Sequence, residues 1–265
     1  KNKKQVITST SEIFKGKFKS SKKAILEEFL KGEEASYFII VDNKSFKFFG
    51  SAQDHKRVFE NDLGPNTGGM GAYSPAPIIN KSLEKKIIKK IINPTLKALK
   101  EMDTNYKGFL YAGLMIVDNE PYLIEYNVRM GDPECQTILP KLKTDLAEIF
   151  VSCCEQKLNQ IQLQWSNKKS LCIVLCSNGY PDEYKKNIEI ENLNKIELNS
   201  NDFIFHAGTE INDNKVFAVG GRVLNFISLS EEFIYAKKNI LSYLNILNWS
   251  GGFFRKDIGY KVIDK

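Results

Sequence analysis

One predicted strand carries the residue types best suited to chemistry. Residues 124–134 read IEYNVRMGDPE, and side chains alternate along a strand, so Glu125, Asn127 and Arg129 share one face. Carboxylate and amide oxygens are the ligands that Mg²⁺ takes when it also holds phosphates, and an arginine can clamp an anion with two hydrogen bonds. The alternative is the exposed polar face of a two-stranded ribbon. The opposite face is apolar and is expected to pack on a core; its members are Ile124, Tyr126 and Val128.

A glycine-rich segment is the second candidate site. Residues 64–71 read GPNTGGMG, and glycines let backbone amides approach an anion closely. The segment is not a Walker A loop, because no Gly-Lys-Ser/Thr follows it. The cations just upstream suit a phosphate group; they are His55, Lys56 and Arg57. The alternative is an ordinary surface loop.

Two further segments are weaker signals. In residues 27–34, EEFLKGEE, an apolar strand ends in backbone that could contact an adenine edge, with Glu34 near ribose hydroxyls. The alternative is a strand end followed by a solvated acidic turn. Near the carboxy terminus, glycines accompany Arg222 and Arg255, which indicates either close backbone approach to an anionic group or bulges and turns of a small sheet.

The hydrophobic pattern predicts the elements that must position these residues, and their order indicates an α+β protein with a boundary near residue 165. Strands are predicted over 36–41, 45–49, 109–117, 122–128, 171–177, 202–207 and 216–226. The first two would form a hairpin with a turn at Asp42-Asn43, and the next two a hairpin with a turn at Asp118-Asn119. Helices are predicted over 2–14, 81–102, 146–158 and 231–246, and residues 51–78 are predicted to be mostly loop. Pro94 should break or kink its helix, and Ser228 with Glu231 would form a capping box.

Composition excludes several classes of protein. The 265 residues are 42% hydrophobic and 26% charged, unlike a disordered chain, and no apolar run approaches the roughly 20 residues of a membrane-spanning helix. Five cysteines without zinc-like spacing indicate reduced thiols in a cytosolic protein. Eight lysines and one acid in residues 1–23 account for the net charge of +6. A nucleic-acid binder would need basic residues over a folded face, so we expect no nucleic-acid partner.

Taken in order, the motifs resemble the glycinamide ribonucleotide synthetase family, phosphoribosylamine–glycine ligases of the ATP-grasp superfamily. The matching stretches are LEEFLKGEEAS at 26–36, QDHKRVFENDLGPNTGGMGAYSPAP at 53–77, GFLYAGLMI at 108–116 and IEYNVRMGDPECQ at 124–136. The resemblance covers the chain from about residue 24 onward. It implies an ATP-grasp domain, with an incomplete small lobe over 1–32 and a large lobe over 33–165. A small antiparallel, β-rich carboxy-terminal domain over 166–265 follows.

The resemblance also implies an activity. In this family ATP, glycine and 5-phosphoribosylamine give glycinamide ribonucleotide, ADP and phosphate through a glycyl phosphate, a step of purine biosynthesis. The implied cofactors are ATP and Mg²⁺ or Mn²⁺. We expect a cytoplasmic monomer with small-molecule substrates and no membrane partner. A stand-alone nucleotide-binding module and another ATP-grasp carboxylate–amine ligase remain alternatives.

Site residues are carried over from the resemblance at the matching positions. The implied metal ligands are Glu125 and Asn127, and the implied catalytic residues beside the acyl phosphate are Arg129 and Asp132. The implied nucleotide-binding residues are Glu27, Glu28, Phe29 and Leu30 at the adenine hinge, Glu34 on the ribose, and Asp54, Lys56, Gly68 and Gly69 in the same cleft. The implied substrate-binding residues are Asn66, Thr67, Arg129 and Arg222.

The sequence departs from the family pattern in two ways. Within the motifs, Phe59, Met130 and Cys135 replace glycine, phenylalanine and threonine. The family also has an amino-terminal domain and a lysine- and glycine-containing phosphate loop, and neither occurs in these 265 residues. We therefore expect an amino-terminally truncated form without synthetase activity of its own.

Overall fold

The computed structural model describes residues 3–17 and 23–263, which divide into two compact units, Lys1–Lys31 and Gly32–Lys265. The first unit contains α1 (Lys3–Glu12) and a π-helical turn, Ile13–Lys17, in which Gly16 takes a φ of 97°. Residues 23–31 have no regular secondary structure. The predicted helix is thus confirmed in part, and the strand expected before the acidic turn is wrong. A strand needs a hydrogen-bonded neighbour, and no strand of the described residues pairs with it.

The second unit is built on strands that follow the predicted hairpins. β1 (Glu33–Val41) is apolar and buried along most of its length, and it pairs with β2 (Phe46–Asp54). Asp42 stabilises the turn between them, because its Oδ1 accepts hydrogen bonds from the backbone N–H groups of Lys44 (3.0 Å) and Ser45 (2.6 Å). The first predicted hairpin is confirmed, with β2 running five residues further than expected.

The other strands are β3 (Arg57–Phe59), β4 (Leu63–Asn66), β5 (Gly71–Ser74), β6 (Gly108–Val117), β7 (Glu120–Asn127), β8 (Lys169–Ser177), β9 (Ile188–Glu189), β10 (Asp202–His206), β11 (Thr209–Asn212), β12 (Lys215–Ala218), β13 (Arg222–Ser230) and β14 (Gly252–Phe253). Seven of these strands join β1 and β2 in one nine-stranded antiparallel sheet, in the order β10-β13-β8-β5-β2-β1-β6-β7, with β14 also paired to β8. Two smaller sheets have the orders β11-β12-β9 and β3-β4.

The predicted loop over 51–78 is wrong at its centre. β5 lies in the middle of the large sheet, where it pairs with β2 on one side and β8 on the other. Glycine, proline and asparagine are common in this segment, so its local pattern gives no strand signal. Pairing on both sides makes it a strand nonetheless. Through the same pairing, strands from before and after residue 165 belong to one sheet. The three predicted domains, 1–32, 33–165 and 166–265, stay predictions.

The helices of the second unit are α2 (Lys81–Ile87), α3 (Asn93–Glu101), α4 (Glu134–Ile138), α5 (Leu146–Cys154), α6 (Phe233–Leu247) and α7 (Tyr260–Ile263). One face of β1 and β6 is covered by the helical residues 81–92, through Leu83, Ile87 and Ile92. α4 and α5 pack on the opposite face through Ile138 and Ile149. α6 packs on β8 and β13. The large sheet therefore has helices on both faces.

Two predictions about helices, the break or kink at Pro94 and the capping box of Ser228 with Glu231, can be compared with the structure. Residues 81–101 are helical throughout, and a π-helical turn, Ile88–Ile92, precedes Pro94 at the start of α3. This wider turn accommodates Pro94, which has no backbone N–H to donate to the helix. The capping box at Ser228 is wrong, because β13 extends to Ser230 and α6 begins after Glu232 with no side-chain cap. The predicted strand over 216–226 is two strands, β12 and β13.

Candidate functional site

A β-bulge in the hairpin of β6 and β7 shapes the candidate metal site. Gly113 pairs with Glu125, whereas Leu114 pairs with Leu123, so Ile124 is an extra residue in β7. Both Ile124 and Glu125 consequently line the same cleft. The predicted apolar face is therefore wrong for Ile124 and Val128, which are 49% and 71% exposed on this edge strand. Only Tyr126 packs on the core, with its hydroxyl 2.7 Å from Thr95 Oγ1.

The two predicted metal ligands lie side by side. Asn127 Nδ2 donates a hydrogen bond to Glu125 Oε1 at 3.1 Å. Gly113 leaves space beside them, because a Cβ at this position would lie 3.2 Å from Glu125 Cγ. The pair offers hard oxygen donors on an open surface, which fits a divalent cation that takes its other ligands from phosphates and water. Residues 3–17 and 23–263 contain no group of three His, Cys, Asp or Glu side chains able to hold a metal.

A cleft of about 80 Å³ adjoins Glu125 of this pair. It is lined by Glu34, Ala35, Ser36, Asp54, Lys56, Tyr111, Gly113, Leu114, Met115, Ile124 and Glu125. The structure thus brings the predicted residues Glu34, Asp54 and Lys56 to the predicted metal ligand Glu125. β1 and β2 supply the first two of these, and Lys56 follows directly after β2. This cleft is the candidate functional site.

Carboxylates outnumber cations in the cleft, and their charges interact. Lys56 Nζ forms an ion pair with Glu34 Oε2 at 2.9 Å. Burial, with a further contribution from the negative charge of Glu134, raises the pKa of Asp54 to about 7. Burial by itself would lower the pKa of Lys56, but the carboxylates of Asp54 and Glu34 raise it above its ordinary value. Lys56 therefore remains a cation that can meet a phosphate.

A buried acid beneath the cleft was missed by the sequence reasoning. Glu134 is buried, and its Oε1 lies 3.0 Å from Ser36 Oγ and 3.3 Å from the Tyr111 hydroxyl. The two hydroxyl oxygens are 2.9 Å apart. Gly131 makes room for the carboxylate, because a Cβ there would lie 2.3 Å from Glu134 Oε2. The sequence places Glu134 inside the strongest motif but gives no sign of these two partners.

In the glycine-rich loop, the amides of residues 67–69 bond within the protein. The Thr67 N–H donates to Lys56 O, the Gly68 N–H to the Tyr180 hydroxyl, and the Gly69 N–H to Thr67 Oγ1. Gly69 takes a φ of +118°, and a Cβ on it would lie 2.6 Å from Pro133 Cδ. The loop thus packs closely on the segment that precedes α4. Its glycines serve this packing, and the amide contacts with an anion stay a prediction.

Arg222 joins the loop to the predicted catalytic aspartate. Its Nη1 donates to the backbone oxygens of Gly68 (2.9 Å) and Asp132 (2.8 Å), and it lies 3.1 Å from Asp132 Oδ1. Gln136 Nε2 also donates to Asp132 Oδ1 at 3.1 Å. Arg129 is not part of this cluster; it is exposed and donates to the carbonyl oxygen of Met130. The structure therefore brings together Asp132, Gly68 and Arg222 from the predicted set.

The remaining predicted residues lie in three places. Asn66 is exposed at the end of β4, and Thr67 Oγ1 donates to Lys56 O at 2.8 Å. The hinge residues belong to the irregular segment of the first unit; they are Glu27, Glu28, Phe29 and Leu30. Phe29 is 84% exposed there. Contact of the hinge with a nucleotide stays a prediction.

His55, upstream of the glycine-rich loop, and Arg255, near the carboxy terminus, have structural partners instead. His55 is buried, and its Nε2 accepts a hydrogen bond from the Gly259 N–H at 3.3 Å. Burial, together with the positive charge of Arg255, lowers the pKa of His55 to about 3, so the ring is neutral and the expectation of a phosphate-binding cation is wrong here. Arg255 is buried and forms ion pairs with Asp62 at 2.9 Å and Asp257 at 2.7 Å.

All five cysteines are unpaired: Cys135, Cys153, Cys154, Cys172 and Cys176. Burial raises the pKa of Cys172 and Cys176, so these two thiols stay protonated. Among the residues that the structure describes, no helix is both long and apolar enough to span a bilayer.

Comparison with known proteins places these features in a family. Residues 1–135 match the family model for the ATP-grasp (A) domain of phosphoribosylglycinamide synthetase, and residues 170–261 match the model for its C domain. A protein of Brucella melitensis named phosphoribosylamine–glycine ligase is 39% identical over 98% of this chain and 61% of its own length. A protein of the same name from Haemophilus influenzae is 45% identical over 92% of this chain and 57% of its own length.

Solved structures agree with these matches. The crystal structure of a phosphoribosylamine–glycine ligase from Thermotoga maritima has a TM-score of 0.81 and 32% identity, over 97% of this chain and 64% of its own. A biotin carboxylase from Campylobacter jejuni shares the fold, with a TM-score of 0.61 at 15% identity over 87% of this chain and 49% of its own. The chain spans about three fifths of the length of the curated relatives it matches.

Proposed function

Because the chain belongs to the phosphoribosylglycinamide synthetase family, we propose that it carries the nucleotide and metal cleft of an ATP-dependent ligase that joins glycine to 5-phosphoribosylamine. The observation that carries this proposal is that Glu125, hydrogen-bonded to Asn127, lines one cleft together with Lys56. The order of α+β elements and the ATP-grasp neighbours support the same cleft. ATP-grasp enzymes use ATP with a divalent cation.

The proposed reaction has two steps. A glycine carboxylate oxygen attacks the γ-phosphorus of ATP, the bond to ADP breaks, and a glycyl phosphate forms. The amine nitrogen of phosphoribosylamine then attacks the carbonyl carbon, loses a proton, and displaces phosphate. Free carboxylate is a poor electrophile, so phosphorylation supplies the leaving group. The protein contributes positioning and charge neutralisation, as in phosphoryl transfer generally.

Glu125 and Asn127 would hold Mg²⁺ or Mn²⁺ in this proposal. The cation would neutralise charge on the ATP phosphates. The hydrogen bond from Asn127 to Glu125 keeps these two side chains on one face. Lys56 adds a positive charge to a cleft whose other charged residues are carboxylates. Glu34, now paired with Lys56, would bind the ribose hydroxyls.

The other site residues are proposed with the roles that the family implies. Arg129 and Asp132 would lie beside the acyl phosphate, and Arg129 and Arg222 would bind substrate. The contacts of Arg222 with Asp132 and Gly68 would fix its position. Adenine would contact the hinge, residues 27–30, and the remaining contacts would come from Asp54, Gly68 and Gly69 for ATP and from Asn66 and Thr67 for the substrates. We propose the cytoplasm as the compartment, on the five unpaired cysteines.

Binding of Mn²⁺ and ATP to the chain tests the proposal. Electron paramagnetic resonance of Mn²⁺ should show binding that strengthens when ATP is added, and Glu125→Gln should weaken it, because one anionic oxygen donor is lost. Glu120→Gln in the same strand is the control, since this side chain pairs with Lys86 away from the cleft. Absence of ATP-dependent Mn²⁺ binding, or equal loss in both variants, would refute the proposal.

A further inference from the structure

We propose that Glu134, Ser36 and Tyr111 form a buried positioning network for the cation held by Glu125 and Asn127. This inference deepens the proposed function and rests on it. The three residues come from three elements: Ser36 from β1, Tyr111 from β6 and Glu134 from α4. The network is defined by their oxygens, which lie 2.9, 3.0 and 3.3 Å from one another.

The network has the chemistry of a fixed hydrogen-bond acceptor with two donors. A carboxylate only accepts, so at least one hydroxyl proton must be directed at Glu134 Oε1. The relative exposure of Glu134 is only 3%. Among the ion pairs and hydrogen bonds of the described residues, none joins Glu134 to a basic side chain. Burying an acidic side chain without a direct ion pair is unfavourable, so its retention calls for a role beyond packing.

The network directly adjoins the candidate metal ligands. Tyr111 is the cross-strand partner of Asn127, and Gly113 is the partner of Glu125. The Tyr111 hydroxyl and Glu125 Cγ both lie within 4 Å of one point, the position that a Cβ of Gly113 would take. Ser36 and Tyr111 also line the cleft. Their hydroxyl oxygens therefore meet the face on which the cation would be held.

These contacts give the network a specific function. When a hydroxyl of Ser36 or Tyr111 donates its proton to Glu134, its oxygen lone pairs remain for the cleft. That oxygen could then accept a hydrogen bond from a water molecule bound to the cation. The rings of Tyr111 and Phe38 stack at 4.5 Å, so the phenol cannot move freely. Outer-shell partners of this kind orient the ligands of metal ions, and their loss typically weakens metal binding by about 10- to 100-fold.

The strand of the metal ligands supplies a matched control. Tyr126 lies between Glu125 and Asn127 but faces the opposite side, where its hydroxyl contacts Thr95 Oγ1 at 2.7 Å. Tyr126→Phe and Tyr111→Phe each remove one partly or fully buried phenol hydroxyl. A general loosening of the hairpin would affect both variants, whereas a role in positioning the cation affects only Tyr111→Phe.

Mn²⁺ affinity in the presence of ATP is the test, measured on the chain by electron paramagnetic resonance together with the urea unfolding midpoint. We expect Tyr111→Phe and Glu134→Gln to weaken Mn²⁺ binding about tenfold, and Tyr126→Phe to leave it unchanged at a comparable loss of stability. Unchanged affinity in Tyr111→Phe, or equal losses in both tyrosine variants, would overturn the network's role while the cleft stands. Failure of the unsubstituted chain to bind Mn²⁺ with ATP would refute the proposed site itself and with it this inference.

Discussion

Replacement of Arg255 by methionine should destabilise the second unit severely. Its guanidinium is 1% exposed and donates to both oxygens of Asp257, at 2.8 and 2.7 Å, and to Asp62 Oδ1 at 2.9 Å. It also donates to the backbone oxygen of Arg57. Removal of one member of a buried ion pair leaves uncompensated charge and typically costs about 3–5 kcal/mol. Arg255 thus holds the hairpin before the glycine-rich loop to the carboxy-terminal segment.

The pH dependence of this effect has a definite sign. Burial opposes ionisation of Asp62 and Asp257, but hydrogen bonds, from Tyr260 and Arg255 to Asp62 and from Arg255 to Asp257, outweigh it and lower the pKa of both carboxyls. A carboxyl whose pKa is lower in the folded state stabilises the fold above its unfolded pKa, and this contribution is lost as the pH falls through the folded value. The difference between wild type and Arg255→Met should therefore be full at pH 7 and should shrink in acid.

Urea unfolding followed by circular dichroism at pH 7 and in acid measures this difference. Arg57→Met is the matched control, because Arg57 is exposed and its Nη1 contacts only the carbonyl oxygen of Gly64 among the hydrogen bonds described. We expect its cost to be about 1 kcal/mol or less. A loss below about 1 kcal/mol in Arg255→Met, or a loss independent of pH, would show that the reasoning from the buried ion pairs is mistaken.

Three further predictions concern the cleft and its supports. Gly131→Ala should destabilise the fold by about 1–3 kcal/mol in urea unfolding, since a Cβ would lie 2.3 Å from Glu134 Oε2; an unchanged midpoint would contradict the packing. Arg222→Lys should keep a positive charge beside Asp132 but lose the hydrogen bonds to the carbonyl oxygens of Gly68 and Asp132, seen as faster amide hydrogen exchange at residues 67–69; protection equal to wild type would contradict this role of Arg222. In the full-length enzyme, Glu125→Gln should lower the turnover of ATP with glycine and phosphoribosylamine by orders of magnitude and leave the unfolding midpoint unchanged. Near-normal turnover would show that Glu125 is not a metal ligand.

Strand alternation predicted the candidate metal pair but not its surroundings. Glu125 and Asn127 share a face because they are two residues apart on the same side of the bulge. Ile124, the residue before Glu125, lies at the bulge itself, so the alternation that assigns Ile124 to the core fails there. A bulge depends on how two strands are paired, and a single strand's sequence contains no record of its partner's register.

Local signals determined the features of this protein that depend on neighbours in the chain: the two hairpin turns, most helices, the free thiols and the motifs that identify the family. Tertiary structure alone decided the features that depend on distant partners. These are the central strand β5, the amides of the glycine-rich loop that bond within the protein, and the network of Glu134 with Ser36 and Tyr111. Residues 75 and 98 positions apart meet in that network. Such contacts form only after the sheet has assembled, because their energy depends on burial and geometry that no local pattern encodes.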